Sequence, residues 1–483
     1  MHADEDSQPP DRPDAPPPAL VIPAPAAALD TAGVIALLLA GLVTVAGEIL
    51  PFGSGAIDLP SVPSLLLAAA VMFLVRNIVC RQTTTRQTLQ TWRARVSARP
   101  DLAAALHAFV ATRPAVFAAA YFAVVTIGLA PTANFSVSTD PFINLPARFD
   151  AGWYGAIAID GYFFDRQFTR QRNIAFFPAM PSLMRPLGRV FGSRVPGLPR
   201  DRRLARALWA GVFISLAAFL AALVYLSRLS RLIAGDDAAR AAPLLLAAYP
   251  FAVFFNAPYT EGLFLLGSVA AFYYFHRERW VAASLFGLLV GLSRPNGCFL
   301  SIPLAILAVQ SVWPRPRLRP VATRLLVAAM PGFGMLLFTA HLYRLTGVWF
   351  AWTRMQEAWG RTWGTRPIAQ GWEWLTTEGL MAVTRGVPFD TLNTAAVLFA
   401  LAMLWPVARR LGAPYAAFIV VNVAPPVFAG GALSMGRITS TLFPLFIALA
   451  AMLPRRSVPA WAAAFGVMQG LIAALFFTWR ELF

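Results

Sequence analysis

The sequence predicts an all-α, polytopic membrane protein, and three observations carry that prediction. Only 13% of the 483 residues are charged and mean hydropathy is +0.61, whereas soluble domains carry roughly 25% charged residues. Apolar runs of about twenty residues, the length that spans a hydrocarbon core, recur along the chain. Those runs are continuous rather than alternating, so the backbone groups that lipid cannot solvate are satisfied inside helices and not in a barrel.

Residues 1–30 are rich in Pro, Ala and Asp without apolar periodicity and read as a disordered tail. Their acidic start does not suit a signal peptide, which needs a basic region before its apolar core. Thirteen transmembrane helices follow, at about 31–50, 59–79, 114–131, 204–227, 241–257, 260–275, 281–295, 297–313, 323–346, 391–408, 413–431, 434–453 and 458–477. The stretch 281–313 reads either as two short helices broken at Ser293-Arg-Pro-Asn-Gly297 or as one kinked helix. The domain plan is the tail, then two additional helices with an Arg-rich connection (31–113), a main membrane region (114–453), and a last helix with a short outer tail (454–483).

The formal charge of +17 does not point to nucleic acid, because the arginines lie in short clusters between apolar runs, which is a topology signal. Arg76 to Arg113, Arg228 to Arg240, Arg277 and Arg279, Arg315 to Arg324, Arg409 and Arg410, and Arg455 and Arg456 fall in alternate connections. A cytoplasmic amino terminus therefore satisfies the positive-inside rule at almost every connection; the exception is the Arg-containing region from Arg148 to Arg206, a long outer loop of the kind that escapes the rule. Every basic side chain is Arg and none Lys, which fits a GC-rich bacterial genome. Cys80 and Cys298 fall on opposite sides, so no disulfide follows.

This topology puts the two longest polar segments, 132–203 and 347–390, on one outer face. Amphipathic juxtamembrane helices are expected in the first of them, with Arg185, Arg189, Arg194, Arg202 and Arg203 at an anionic headgroup layer. Asp150, Trp153, Tyr154 and Ile157 follow i, i+3, i+4, i+7 spacing and share one helical face, and Gly161 is placed to end that helix. Asp150 reads either as the N-cap of the helix or as a chemical carboxylate. Glu261, Arg294 and Arg437 are ionisable groups at helix ends beside the membrane, where desolvation is costly, and such groups mark function. Snorkelling is the competing reading for Arg437. The turn Pro295-Asn-Gly297 behind Arg294 offers open backbone groups that suit an anion.

No Walker or Rossmann loop, HExxH or CxxC pattern is present, and His341, the one outward histidine, has no nucleophile partner. Carboxylate, Arg and aromatics remain, a set that suits transfer of a sugar from a phosphate. Asp140 and Asp150 together could hold a divalent metal, but two carboxylates are few ligands for a hard cation, and no metal site is assigned.

Arg148-Phe-Asp-Ala-Gly-Trp-Tyr-Gly-Ala-Ile-Ala-Ile-Asp-Gly-Tyr162, Ala175-Phe-Phe-Pro-Ala-Met-Pro181, Ala257-Pro-Tyr-Thr-Glu-Gly-Leu-Phe264 and Leu292-Ser-Arg-Pro-Asn-Gly297 occur in that order. Met435-Gly-Arg437 ahead of Phe443-Pro444 completes the set. Together they resemble the GPI mannosyltransferase II (PIG-V) family of integral-membrane glycosyltransferases over about 114–453. The resemblance implies a GT-C fold, a polyprenyl-phosphate mannose donor, a lipid-linked or glycan acceptor, inversion at the anomeric carbon, and Asp150 as general base. The Arg-derived topology and the absence of Lys add the expectation of a site facing the exterior or periplasm of a bacterial inner membrane. Trp153, Tyr154, Phe176, Phe177, Tyr259, Glu261, Arg294, Asn296 and Arg437 are then candidate substrate-binding residues. Phe149 departs from the family, which has Trp there. A transporter or flippase of lipid-linked glycans is the alternative, and it would place polar groups near mid-membrane.

Overall fold

The computed structural model describes residues 23–46, 62–81, 83–312, 318–361, 364, 369, 376, 388–480 and 482. The chain divides into two compact units, Met1–Val45 with Pro60–Ala98, and Ala46–Leu59 with Arg99–Phe483. All regular structure among the described residues is helical.

The first unit holds α1 (Ala24–Ala46), α2 (Val62–Val79) and α3 (Thr85–Ser97). Residues 24–30, expected in the tail, are instead the first turns of α1, and residues 1–22 lie outside the described set. The reason is Asp30, whose carboxylate accepts from Arg76 Nε at 3.0 Å and from Thr85 Oγ1 at 2.9 Å, with both partners of the ion pair at most 1% exposed. Arg76 is therefore held in a buried ion pair.

In the second unit the elements are α4 (Pro100–Thr126), α5 (Ala151–Asp160), α6 (Ala179–Val190), α7 (Arg200–Ala234), α8 (Asp236–Ala248), α9 (Glu261–His276), α10 (Trp280–Ser293), α11 (Ser301–Gln310), α12 (Leu318–Thr346), α13 (Ala351–Met355), α14 (Pro388–Arg410), α15 (Ala413–Gly430), α16 (Met435–Thr439), α17 (Phe443–Met452) and α18 (Val458–Phe477). Among the described residues six helices are long and apolar enough to cross a membrane: α4, α7, most of α12 and of α14, α15 and α18. This is a multi-pass membrane protein. Of the other expected spans, 31–50, 59–79 and 297–313 end in residues outside the described set, and the rest are shorter or broken, so the described residues do not establish a count of thirteen.

Proline accounts for two breaks. Tyr249 precedes Pro250, is pushed to an extended ψ of 136°, and splits the expected span 241–257 into α8 and a 3-10 turn (Pro250–Asn256) bent by 79°. Arg294 precedes Pro295 and is likewise extended (φ −152°, ψ 156°), so 281–313 forms two short helices joined by a 3-10 turn, Pro295–Leu300. The span 434–453 is also divided, into α16 and α17.

The span expected at 114–131 begins earlier, at Pro100, and draws Arg113 into the bundle. Its guanidinium donates to Ala247 O (2.6 Å), Ala252 O (2.7 Å) and Asn256 Oδ1 (2.6 Å). Bending α8 away from its own helical continuation exposes those carbonyls, and Arg113 satisfies them. This arginine braces the break, and its assignment to the Arg-rich connection does not hold.

Candidate active site

The loop between α4 and α5 places Asp150. Arg148 is fully buried, donating from Nε to Phe477 O at 2.6 Å and from Nη1 to Asn144 O at 2.7 Å, which fastens the loop to the carboxyl end of α18. Phe149 then takes a positive φ of 45°, a conformation that costs a non-glycine residue free energy and persists only where the surroundings enforce it. The enforcing group is Tyr259, whose hydroxyl donates to Arg148 O and accepts from Asp150 N–H, each at 3.1 Å. Asp150 stands at the N-cap position of α5, but its side chain makes no capping bond. Its carboxylate accepts from Arg437 Nη1. Of the two sequence readings, the cap is not the one realised.

Arg437 is the hub. Besides Asp150 it binds Glu261 Oε1 through Nε, and its guanidinium lies 4.4 Å from the ring centroid of Tyr259. Arg294 Nη1 approaches the same Glu261 oxygen at 3.2 Å. Asp150, Arg437, Glu261 and Arg294, spread over nearly 290 residues of sequence, thus form one chain of alternating charge. Such pairing is what makes charges tolerable beside lipid.

Two glycines permit the approach. A Cβ on Gly436 would sit 2.1 Å from the Phe251 ring, and one on Gly297 would sit 2.0 Å from Val290 O. The first lets α16 press against the Pro250–Asn256 turn next to Arg437. The second lets the Pro295–Leu300 turn fold back on α10 and aim Arg294.

The charged chain opens on a cavity of about 1040 Å³. Asp150, Trp153, Tyr154, Phe176, Phe177, Arg294, Asn296 and Arg437 all line it. Trp153 stacks on Phe176 at 5.8 Å between centroids, and Trp359 meets both rings edge-on at 5.5 and 5.3 Å. Burial pushes the Tyr154 phenol up to about 12, against the opposing pull of Arg437, so the phenol keeps its proton.

Two assignments change. Tyr259 and Glu261 are fully buried and stand behind the cavity wall; they position Asp150 and Arg437, and neither presents an atom for substrate to touch. Asn296 does reach the wall, with its amide spent on Asn422 Oδ1 at 2.7 Å. Asp140 is not brought to the site: its carboxylate accepts the N–H groups of Phe142 and Ile143, both at 2.8 Å. Among the described residues no cluster of three or more His, Cys, Asp or Glu is arranged to hold a metal. Arg185 and Arg203, expected among headgroups, donate to the carbonyls of Ala158 and Ser193, each at 3.0 Å. Cys80 and Cys298 are free thiols.

Sequence reasoning missed Trp352, Trp359 and Trp479, which also line the cavity, and it placed Arg361, another lining residue, among the titratable groups of the outer face without giving it a role. Arg361 sits after α13 with no hydrogen bond or ion pair from its side chain among the described residues. Burial pushes its guanidinium down to about 10, and repulsion from Arg437 and Arg294 acts in the same direction. An arriving anion would relieve both. The aromatic-rich composition of 347–361 was the available signal, but a loop's aromatics look the same whether they face a site or a membrane.

A cavity that joins one carboxylate to several arginines and stacked aromatics has groups that suit the transfer of a sugar. Residues 118–313 match the family described as mannosyltransferase (PIG-V), which bears out the resemblance over the first four motifs and supports a glycosyltransferase. Arg437 lies beyond the matched span. No curated protein matches the chain. Among solved structures, the chain is similar to the archaeal oligosaccharyltransferase AglB from Archaeoglobus fulgidus in complex with an inhibitory peptide and a dolichol-phosphate. That similarity has 13% identity, a TM-score of 0.39, and coverage of 76% of this chain and 54% of that one. A second structure, of the Archaeoglobus fulgidus oligosaccharyltransferase with zinc and sulfate, gives 13% identity, a TM-score of 0.37, and 76% and 53% coverage. The chain thus spans about half the length of each.

Proposed function

We propose that the protein transfers a sugar, mannose in the first instance, from a polyprenyl-phosphate donor to the hydroxyl of a lipid-linked or glycan acceptor. The observation that carries this reading is the Asp150 carboxylate, held by Arg437 at the wall of an aromatic, arginine-rich cavity. Asp150 takes the proton from the acceptor hydroxyl. The freed oxygen attacks the anomeric carbon as the bond from that carbon to the phosphate oxygen breaks, and the phosphate leaves with the electron pair. Attack from the face opposite the leaving group inverts the anomeric configuration.

Arg294, Arg361 and Arg437 stabilise the departing phosphate; planar guanidinium suits its oxygens. Trp153, Phe176 and Trp359 form the platform on which a sugar ring stacks, and the Trp359 indole N–H, buried without a partner among the described residues, is free to meet a sugar hydroxyl. The cavity is assigned to the extracytoplasmic face of a bacterial inner membrane, because the segments that build it include the two long outer loops of the Arg-derived topology.

The test is incubation of the purified protein with polyprenyl-phosphate mannose and candidate acceptors beside Asp150→Asn. The amide keeps the shape and removes the base, so transfer should fall by roughly 10²–10⁴-fold. Equal product from both, or none from the wild type with any acceptor, overturns the proposal.

A further inference from the structure

Helix α3 plays no part in the cavity, and its surface has an unusual order. Thr88 is its one fully buried residue. Leu89, Trp92 and Val96, at i, i+3 and i+7, make an apolar stripe along one side, with Leu89 48% exposed. Arg86 and Arg93 border that stripe on one side and Arg95 on the other, and all three are exposed. The opposite face carries Gln90, Thr91, Ala94 and Ser97. Arg81 and Arg99 flank the helix, and no acidic residue occurs from Arg81 to Arg99.

Placement adds to this. Helix α2 has 18 residues, about 27 Å at 1.5 Å each, close to the thickness of a hydrocarbon core. Six residues after α2 ends, Thr85 begins α3, and the junction is pinned: Thr85 Oγ1 and Arg76 Nε both hold Asp30. The helix start is further fixed by a Thr84–Gln87 capping box. Yet a helix of 13 residues with so little buried is marginal in water. It needs a surface beneath it.

We propose that α3 lies in the membrane interface on anionic lipid headgroups, with Leu89, Trp92 and Val96 dipping toward the acyl boundary and Arg86, Arg93 and Arg95 pairing with headgroup phosphates. A topology signal alone would supply basic charge in this connection, but it would not sort the arginines to the two edges of an apolar stripe. That sorting fits an interfacial helix. A protein partner with an acidic face would need acidic groups matched one by one to arginines on both edges, whereas a headgroup layer surrounds them all.

Hydrogen exchange of the full chain in nanodiscs tests this, with phosphatidylcholine alone against phosphatidylcholine mixed with phosphatidylglycerol. Amides of 85–97 should exchange roughly tenfold more slowly in the anionic discs, and added salt should shrink the difference. Replacing Arg86, Arg93 and Arg95 together by Gln should erase the gain, and replacing them by Lys should keep it. Amides of α2 report whether the unit stays folded. Equal exchange in both lipids, as a protein-docking surface would give, overturns the proposal. So does retention of the gain in the Gln variant, or its loss in the Lys variant.

Discussion

Arg113 and Arg437 are both buried guanidiniums, 2% and 8% exposed, inside the same unit of a membrane protein, and they do different things. Arg113 meets backbone carbonyls and two amide side chains, with no carboxylate among its partners and no contact with the cavity. Arg437 meets two carboxylates, one of which lines the cavity with it. The expectation that an ionisable group among apolar helices marks function is therefore too coarse. Burial of charge says that something depends on the residue. The partners say what: carbonyls released by a bent helix mean architecture, whereas a shared carboxylate at a solvent-accessible wall means chemistry.

The contrast breaks most visibly at Arg437→Gln. Transfer should drop on the order of 10²–10³-fold, the usual consequence of removing one preorganised electrostatic group from a reaction site. Because Glu261 is fully buried and would keep only Arg294, stability should fall too, by about 3–5 kcal/mol. Product formation per folded molecule and the thermal midpoint together check this; a variant that transfers normally would remove Arg437 from the mechanism. Arg113→Met should give the opposite profile. Each buried carbonyl left without a donor costs about 1–3 kcal/mol, so the midpoint should fall steeply while transfer per folded molecule holds. If the folded fraction also lost transfer, the division between bracing and reacting arginines would fail.

Much of this was legible in the sequence, and the parts that were not share a cause. The helical class follows from apolar run length, which no tertiary detail alters. Asp150, Glu261, Arg294 and Arg437 were each recognisable as charges at helix ends beside lipid, but nothing in a linear chain says that Arg437 reaches Asp150 and Glu261 at once. Hydropathy also cannot see the bend at Tyr249, since a run of apolar residues keeps its score when a proline breaks it, whereas the break at Arg294 was legible as one of two readings because Arg-Pro-Asn-Gly interrupts the apolar run. Arg113 was misplaced for the same reason: counting arginines between runs presumes that run ends are known, and α4 starts well before its apolar stretch does. Phe149 stands where the resembling family has Trp, and in the structure it packs at a tilt against Trp479 at 4.5 Å and stacks on Phe476 at 5.6 Å. The wall keeps its aromatic character there through a neighbour that lies some 330 residues away along the chain.

Tyr259 offers the finest division between holding and reacting. Its hydroxyl ties the backbone on both sides of Phe149, and its ring carries the Arg437 guanidinium. Tyr259→Phe removes the two hydrogen bonds and leaves the ring. The loss of stability should be about 1–3 kcal/mol, because the ring packing survives while the buried Arg148 carbonyl loses its donor. The positive φ of Phe149 would then lose its restraint, and Asp150 would sample positions away from the acceptor hydroxyl. Small displacements of a reacting group are costly, so the maximal rate should fall roughly tenfold. Because Tyr259 stands behind the wall, the Michaelis constants for donor and acceptor should stay where they are, the pattern of an interaction realised in the transition state and not in ground-state binding. A rise in either constant with the maximal rate intact would instead place Tyr259 among the residues that touch substrate, and would return it to the role its position in the sequence suggests.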